Sequence, residues 1–455
     1  FTAGIFRENF NNHTSGLRNS GRRRPRICRR CYVDGSIFWT TRIIQLIIML
    51  EDLKERGFFQ QSTHPEELAK RLKEDRICCY VGFDPTADSL HVGHLIPLMG
   101  LAHMQRGGHQ IIALMGGGTA MIGDPSGKTE MRKMLTEEQL QANIEGMLPQ
   151  MERFLDFSGD AILANNSEWL RDLNYIDFLR DIGRHFSINR MLSFETYKIR
   201  LETGLSFLEF NYQLLQAFDF LELNRRYDCT LQMGGDDQWA NIISGTDLIR
   251  RVERKDAFGW TYPLLTTASG KKMGKTEKGA LWLDPKRTSA YEYYQYWVNT
   301  EDTDVEKFLA LFTFLPMDEV RQLGQLQGAD IREAKQRLAF ETTALIHGKE
   351  PALQAQEAAQ SLFSADGKSD KSNVPSTIIA ANDFSAGLDI FEIFLQTGLC
   401  KSKGEARRLQ AQGGVYVNDE RIDIPDYNLG EADLQDGEIL LRAGKKRYHR
   451  LILES

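Results

Sequence analysis

Ile77-Cys-Cys-Tyr-Val-Gly-Phe83 is an apolar run set between Arg76 and Asp84. A strand buried on both faces reads this way, because neither side of its pleat needs polar residues. Residues from about His91 to Arg106 then read as a helix that stops at Gly107-Gly108. A second strand, Gln110 to Met115, closes on Gly116-Gly117-Gly118. Strand, helix and strand within about 40 residues make a βαβ unit, and such units build a doubly wound parallel α/β sheet.

Downstream the pattern is helical from Glu137 to about Leu223, with one short strand at Ala161 to Leu163, and a third strand runs from Cys229 to Met233 into Gly234-Gly235. Helical periodicity returns from Ser289 to Leu362. Residues 364–376 are almost wholly polar with Gly and Pro, the composition of a linker. A separate unit of about 70 residues follows, with two helix-like stretches, Gly413-Gly-Val-Tyr-Val-Asn-Asp419 and further short strands. No internal repeat is visible.

The 455 residues, at 52.0 kDa, exceed a single core and suggest about three domains. With 42% apolar and 26% charged residues, the chain is neither disordered nor fibrous. No run approaches the roughly 18 apolar residues of a membrane span; the longest, Ile43 to Leu50, contains Gln45. Six cysteines are too few for a disulfide framework, so a reducing, cytoplasmic setting is expected.

The net charge of −7 is unevenly spread. Residues 1–48 carry nine Arg against Glu8 and Asp34, a surplus of seven positive charges, which leaves −14 on the other 407 residues. An acidic bulk of this kind binds nucleic acid only through a local basic patch. Residues 1–48 also lack methionine, and composition becomes ordinary from Met49, where Glu51 to Phe59 reads as an amphipathic helix. An Arg-rich transit peptide and a zinc site at Cys28-x-x-Cys31 are two readings of this segment. The third, preferred here, is a non-native or disordered extension before a start at Met49.

Two stretches carry chemistry. The first runs from the first strand through Gly82-Phe-Asp84-Pro-Thr86 to His91-Val-Gly93-His94. Two imidazoles at i and i+3 on one face near a helix N-terminus would aim donors at a phosphate, where N–H groups and the macrodipole already favour an anion. Gly93 would leave room for a flat base to approach. Taken alone, the pair reads more readily as two surface histidines with no task. The second stretch is Lys271-Lys-Met-Gly-Lys-Thr276, in a Gly-, Ser- and Lys-rich segment without periodicity. It suits a triphosphate, though an isolated lysine cluster is usually a solvated charge run. Gly123-Asp-Pro-Ser-Gly127-Lys128 is not a P-loop: it has three residues between its glycines instead of four, and Pro125 removes a backbone donor.

In order and about 180 residues apart, the two stretches resemble the HIGH and KMSKS signatures of class I aminoacyl-tRNA synthetases. The fuller strings narrow the resemblance to the bacterial-type tyrosyl-tRNA synthetases: Tyr80-Val-Gly-Phe-Asp-Pro-Thr-Ala-Asp-Ser-Leu-His-Val-Gly-His94, Gly123-Asp-Pro-Ser-Gly-Lys128, Phe207-Leu-Glu-Phe-Asn-Tyr-Gln-Leu-Leu-Gln216 and Gln232-Met-Gly-Gly-Asp-Asp-Gln-Trp239. The likeness runs from about Met49 to the C-terminus. There are departures: Val92 stands for Ile in HIGH, Gly274 and Thr276 for the serines of KMSKS, Val81 for a common Cys, and Asp236 for a common Ser. No role for Asp236 can be read from the sequence.

The resemblance implies a Rossmann-like catalytic domain (49–288), an anticodon-side helical domain (289–363), a linker (364–387) and a small α+β S4-like RNA-binding domain (388–455). The last rests on Ser402-Lys-Gly-Glu-Ala-Arg-Arg-Leu409 and Gly414-Val-Tyr-Val-Asn418, with Lys401, Lys403, Arg407 and Arg408 as RNA contacts and Arg442, Lys445, Lys446, Arg447 and Arg450 extending the basic patch. The implied reaction joins tyrosine to ATP, releases pyrophosphate, and then esterifies tRNA(Tyr). Thr86, His91, His94, Lys128, Arg132, Lys272, Lys275 and Thr276 would serve the phosphates. Gly82, Asp84, Gly93, Gly235 and Asp237 would lie along the nucleotide. Tyr80 and Asp219 would meet the tyrosine hydroxyl, Asp124, Tyr212 and Gln216 its ammonium, and Gln238 its carboxylate. Tyr212, Gln216 and Asp219 fall at i, i+4 and i+7, one stripe of a helix. The family also implies a homodimer, no resident metal or tightly bound cofactor, and Mg2+ only as the partner of ATP. A tryptophanyl enzyme and a catalytically silent RNA-binding relative are the alternatives.

Overall fold

The computed structural model describes residues 49–124, 126, 135–268, 270, 273–276, 279–361, 374–380, 387–424, 427–435, 437–444 and 447–453. The expectations for residues 1–48 fall outside them, and a helix over 49–55 opens the described chain.

Six strands form the central sheet: β1 (Gln61–Ser62), β2 (Cys78–Phe83), β3 (Gln110–Met115), β4 (Ile162–Asn165), β5 (Cys229–Gly235) and β6 (Phe258–Tyr262). Their order is β1-β6-β5-β2-β3-β4, with every pair parallel except β1 with β6. The apolar run that reads as a two-faced strand is one. Cys79, Val81 and Phe83 enter one apolar layer, while Cys78 and Tyr80 enter the other, against Phe220 and Leu114. After β2 the chain builds outward through β3 and β4, then returns to place β5 on the other side of β2. The carboxyl ends of β2 and β5 thus flank a topological switch point, where open α/β sheets bind ligands.

The helix after β2 starts differently from its sequence reading. Val92–His94 is a single 3-10 turn, His91 is its N-cap, and the α-helix proper is Leu95–Arg106. The histidines therefore sit on a tight turn ahead of the helix. β1 and β6 went unread in the sequence. β6 is Phe-Gly-Trp-Thr-Tyr, fully buried yet without alternation and followed by Pro263, so its pattern resembles no strand template.

Helix Phe207–Tyr227 is long because both ends are well made. Ser206 accepts from the Glu209 amide at its start, and Asp228 takes a left-handed conformation (φ 49°) at its end. It packs on helix Trp239–Val252, which follows β5. Helices Ala290–Val298, Val305–Phe312, Met317–Gly324, Ile331–His347 and Lys349–Ser361 share one apolar core with the first layer of the sheet, around Trp297, Phe308 and Phe312. Buried Arg56 joins the two parts, donating to the carbonyls of Ala310, Thr313 and Leu315.

At the C-terminus a five-stranded sheet runs Glu420–Arg421, Val415–Val417, Glu438–Ala443, Arg447–Leu453 and Ser376–Ile379. Helices Ile390–Gln396 and Lys403–Ala411 complete its core. The linker expected over 364–387 needs correction at 376–379. Those residues pair in parallel with Arg450 to Leu453 and form an edge strand of this sheet. No helix among the described residues is long and apolar enough to cross a membrane.

Candidate active site

A cavity of about 610 Å3 opens at the switch point. It is lined by Tyr80, Gly82, Asp84, Thr86, His91, Gly93, His94, Asp124, Tyr212, Gln216, Asp219, Gly235, Asp237 and Gln238. These come from the first long motif string, the loop after β3, helix Phe207–Tyr227 and the end of β5. Lys128, Arg132 and Lys272 lie outside the described residues. Of Lys275 and Thr276 only the backbone enters the description, as strand β7, paired with β8 (Gly279–Ala280).

The buried end of the cavity holds a carboxylate. Asp219, 2% exposed, accepts from Asn166 Nδ2 at 2.9 Å and Trp169 Nε1 at 2.7 Å. Burial raises its pKa to about 7; the two donors oppose the rise, and the charges of Asp84 and Glu222 add to it. Tyr80, 1% exposed, has a hydroxyl with no hydrogen-bond partner among the described residues. Its pKa is pushed well above the usual tyrosine range by burial and then by the nearby Asp219 charge. An unpaired buried hydroxyl costs about 1–3 kcal/mol, so a group that satisfies it on binding gains accordingly. Asn166 extends this set, donating also to Thr119 Oγ1, which in turn donates to Asp84.

A second polar group gathers around Asn241, buried on helix Trp239–Val252. Its Nδ2 donates to Gln216 Oε1 at 3.0 Å and to Gln238 Oε1 at 3.2 Å. Gln238 Nε2 donates to Asp124 Oδ2 at 2.7 Å, and the Ser126 amide donates to the other Asp124 oxygen. Asp124, Gln216 and Gln238 are thereby fixed toward one another. The side chains that hold them and Asp219 (Asn166, Trp169 and Asn241) were missed in the sequence. Asn166 and Trp169 lie 53 and 50 residues from Asp219 and Asn241 lies 25 from Gln216, so the fold brings these pairs together; only Gln238, three residues before Asn241, is a sequence neighbour.

On the opposite side, the two imidazoles stack with centroids 4.1 Å apart. His91 Nδ1 accepts from the Gly93 amide at 3.0 Å, and His94 Nδ1 accepts from the His91 amide at 3.1 Å. With Nδ1 accepting, the proton of each neutral ring belongs on Nε2, so both rings carry an Nε2–H donor. Gly93 has a more local reason than room for a base. A β-carbon there would sit 2.7 Å from His91 Cε1, so glycine lets the ring fold over the turn.

The lysine-bearing loop returns to this turn. Val92 donates to Leu281 O and Leu283 donates to Leu90 O, while Trp282 lies against His91. A β-carbon on Gly274 would lie 3.3 Å from Val92 Cβ and 3.5 Å from the Gly93 amide nitrogen. The two motifs, far apart in sequence, are therefore in contact.

The sequence pattern of the tRNA synthetases class I (W and Y) matches residues 72–364, and that of the tyrosine–tRNA ligase SYY-like C-terminal domain matches 368–451. A tyrosine–tRNA ligase of Caldanaerobacter subterraneus subsp. tengcongensis is 58% identical over 407 residues, covering 89% of this chain and 99% of the relative. The chain belongs to the class I tyrosyl-tRNA synthetases. A second relative, the tyrosine–tRNA ligase of Desulfatibacillum aliphaticivorans, is 56% identical over 423 residues, 89% of this chain and 98% of its own. A solved C-terminally truncated mitochondrial tyrosyl-tRNA synthetase of Aspergillus nidulans aligns with a TM-score of 0.65 at 32% identity, covering 73% of this chain and all of that one. These likenesses favour the tyrosyl reading over the tryptophanyl and silent alternatives.

Two departures from the synthetase pattern gain a physical reason. Gly274 has φ +79°, a left-handed conformation that a serine would adopt only with strain. Asp236 does not line the cavity. Its Oδ1 accepts from Gln61 Nε2 at 2.7 Å and Thr261 Oγ1 at 2.8 Å, tying β1 and β6 to the end of β5.

The C-terminal cations differ among themselves. Lys401, Arg407 and Arg408 are exposed. Lys403 pairs with Glu392 and Asp389, Arg447 donates to Leu399 O, and Arg450 pairs with Glu438 at 2.8 Å. Arg442 lies 3.7 Å over the Tyr416 ring. Lys445 and Lys446 fall outside the described residues.

Proposed function

We propose that the chain is a tyrosine–tRNA ligase whose cavity activates L-tyrosine with ATP before transfer to the 3′ end of tRNA(Tyr). The observation that carries this is buried Asp219 beside the Tyr80 hydroxyl, which has no partner among the described residues. A phenol seated there donates to Asp219 and accepts from Tyr80, satisfying both. Phenylalanine satisfies neither, and an indole N–H supplies a donor but no acceptor. Asp124, Tyr212 and Gln216 take the substrate ammonium, and Gln238 lies by the carboxylate.

A tyrosine carboxylate oxygen then attacks the α-phosphorus of ATP, the bond to the β-phosphate oxygen breaks, and pyrophosphate leaves with the electron pair. The nucleophile is already an anion, so this step needs no protein base. Rate comes from alignment and from donors that meet charge as it develops. Thr86 and the Nε2–H groups of His91 and His94 fill that role, with Lys128, Arg132, Lys272, Lys275 and Thr276 on the phosphates. Gly82, Asp84, Gly93, Gly235 and Asp237 line the nucleotide. Mg2+ arrives with ATP as part of the substrate, and no tightly bound cofactor is required. In the second step a terminal ribose hydroxyl of tRNA attacks the adenylate carbonyl and AMP leaves. Lys401, Lys403, Arg407 and Arg408 contact RNA.

The working unit is a homodimer. Ile176 (67% exposed), Ile188 and Phe207 (70% exposed) belong to a catalytic-domain stretch unusually rich in exposed apolar side chains, which supports a self-contact there. Titration calorimetry with tyrosine, phenylalanine and tryptophan in the absence of ATP tests the pocket assignment. Heat of binding is expected for tyrosine alone and is lost in Asp219→Asn; comparable binding of all three contradicts it.

A further inference from the structure

We propose that Asp304 and Tyr296, in the helical segment and away from the substrate cavity, are positioning residues for the phosphate-facing strand β7. The chain from Leu265 to Gly274 is closed at its base by the Met273 amide donating to Leu265 O at 3.2 Å. Its described ends are each held by the helical segment. On one side the Ala268 amide donates to both Asp304 oxygens, at 3.0 and 2.9 Å, and Lys307 Nζ donates to Thr266 O at 3.1 Å. On the other side the Gly274 amide donates to the Tyr296 hydroxyl at 3.2 Å. Gly274 immediately precedes Lys275 and Thr276. The bond to Tyr296 therefore sets where β7 begins.

Asp304 is placed for a different task and does not perform it. It is the N-cap of helix Val305–Phe312, a position where aspartate normally accepts from its own helix. It makes no such side-chain cap. Buried to 3% exposure, the carboxylate commits both oxygens to the amide of Ala268, 36 residues away. A charged acceptor on a backbone donor is among the stronger contacts a protein makes, and here it crosses from the helical segment to the loop. Tyr296 lies close enough to feel its charge: burial raises the tyrosine pKa, the Gly274 amide opposes the rise, and Asp304 adds to it. The helical segment thus grips the loop at Thr266, Ala268 and Gly274 through side chains that never reach the substrate cavity. Loss of the grip leaves the tyrosine pocket intact and misplaces β7 relative to His91 and His94.

This inference rests on the reading that Lys275 and Thr276 meet the ATP phosphates, and the test separates the two. In the full chain, Asp304→Asn, Tyr296→Phe, Lys275→Ala and the Asp304→Asn/Lys275→Ala pair are compared by ATP–pyrophosphate exchange, equilibrium tyrosine binding and thermal melting. Asp304→Asn, which keeps one acceptor oxygen but loses the charge, is expected to lower kcat/KM for ATP roughly five- to tenfold, the difference between a charge-assisted and a neutral bond, and Tyr296→Phe about two- to tenfold. Tyrosine affinity stays within about twofold in both. The Asp304→Asn effect should largely vanish in the Lys275→Ala background, because its consequence passes through β7. Fully additive losses, or an equal loss in tyrosine binding, overturn the positioning role. A silent Lys275→Ala overturns the phosphate reading instead. If Asp304→Asn lowers the melting temperature severely, Tyr296→Phe decides, since it keeps the ring and deletes only the acceptor.

Discussion

Tyr80→Phe removes one oxygen, and the free protein should not miss it. The hydroxyl is buried without a partner among the described residues, a state that costs about 1–3 kcal/mol, so its removal is expected to be neutral or stabilising. For a domain of this size each 1 kcal/mol moves the melting temperature by about 2–4 °C, so the variant should melt at or above the parent temperature. With tyrosine bound the balance reverses, because the hydroxyl then donates to the phenol oxygen. A neutral hydrogen bond contributes roughly 0.5–1.5 kcal/mol, which is about two- to twelvefold in kcat/KM. Phenylalanine, lacking the oxygen, should lose nothing. Tyrosyl enzymes are themselves the standard illustration of rejecting an analogue by leaving buried polar groups unpaired. The assay is ATP–pyrophosphate exchange with both amino acids, alongside a thermal melt. An unchanged tyrosine-to-phenylalanine ratio, or a marked drop in melting temperature, would refute the assignment and leave Tyr80 a simple core residue.

Asp219 should impose a pH dependence. Its carboxyl is raised to about 7 in the folded chain, against an ordinary value near 4, so the folded state holds the proton more tightly. Its contribution to stability therefore falls as pH rises from about 4 to about 7 and is constant above that. The tyrosine preference over phenylalanine should weaken as pH drops below about 7, and Asp219→Asn should flatten that profile, as read from kcat/KM against pH. Arg200→Met should destabilise the fold by about 3–5 kcal/mol in chemical denaturation, since Arg200 and Glu209 are 3% and 4% exposed and the variant strands a buried carboxylate. A chain ending at Phe363, before the edge strand Ser376–Ile379, should still form adenylate while tRNA charging falls at least tenfold and loses its salt sensitivity. Loss of adenylate formation would show that the C-terminal sheet is needed for the catalytic fold.

The parts of the molecule that were legible in sequence are those with local causes. Strands Cys78–Phe83 and Gln110–Met115 are apolar runs bounded by charge or glycine, and the stripe Tyr212, Gln216, Asp219 follows from helical spacing alone. What stayed hidden depends on distant partners. Ser376–Ile379 reads as linker because only two of its residues are apolar, and its strand character comes from the neighbour at Arg450–Leu453. Asp236 reads as an unexplained charge because its partners are Gln61 and Thr261, on strands that carry no signal of their own. The same holds for Asn166 and Trp169: nothing near them in sequence marks an asparagine and a tryptophan as the donors that hold Asp219. The residues proposed to meet substrate could be named from their motifs, while most of those that orient them required the fold.

ATP–pyrophosphate exchange measured with each of the twenty amino acids tests the central assignment most directly. Exchange is expected to be far more efficient with tyrosine than with any other amino acid, and Asp219→Asn should reduce it at least tenfold while leaving the melt cooperative. Exchange with tryptophan or phenylalanine at rates comparable to tyrosine, or none with any amino acid, would contradict it.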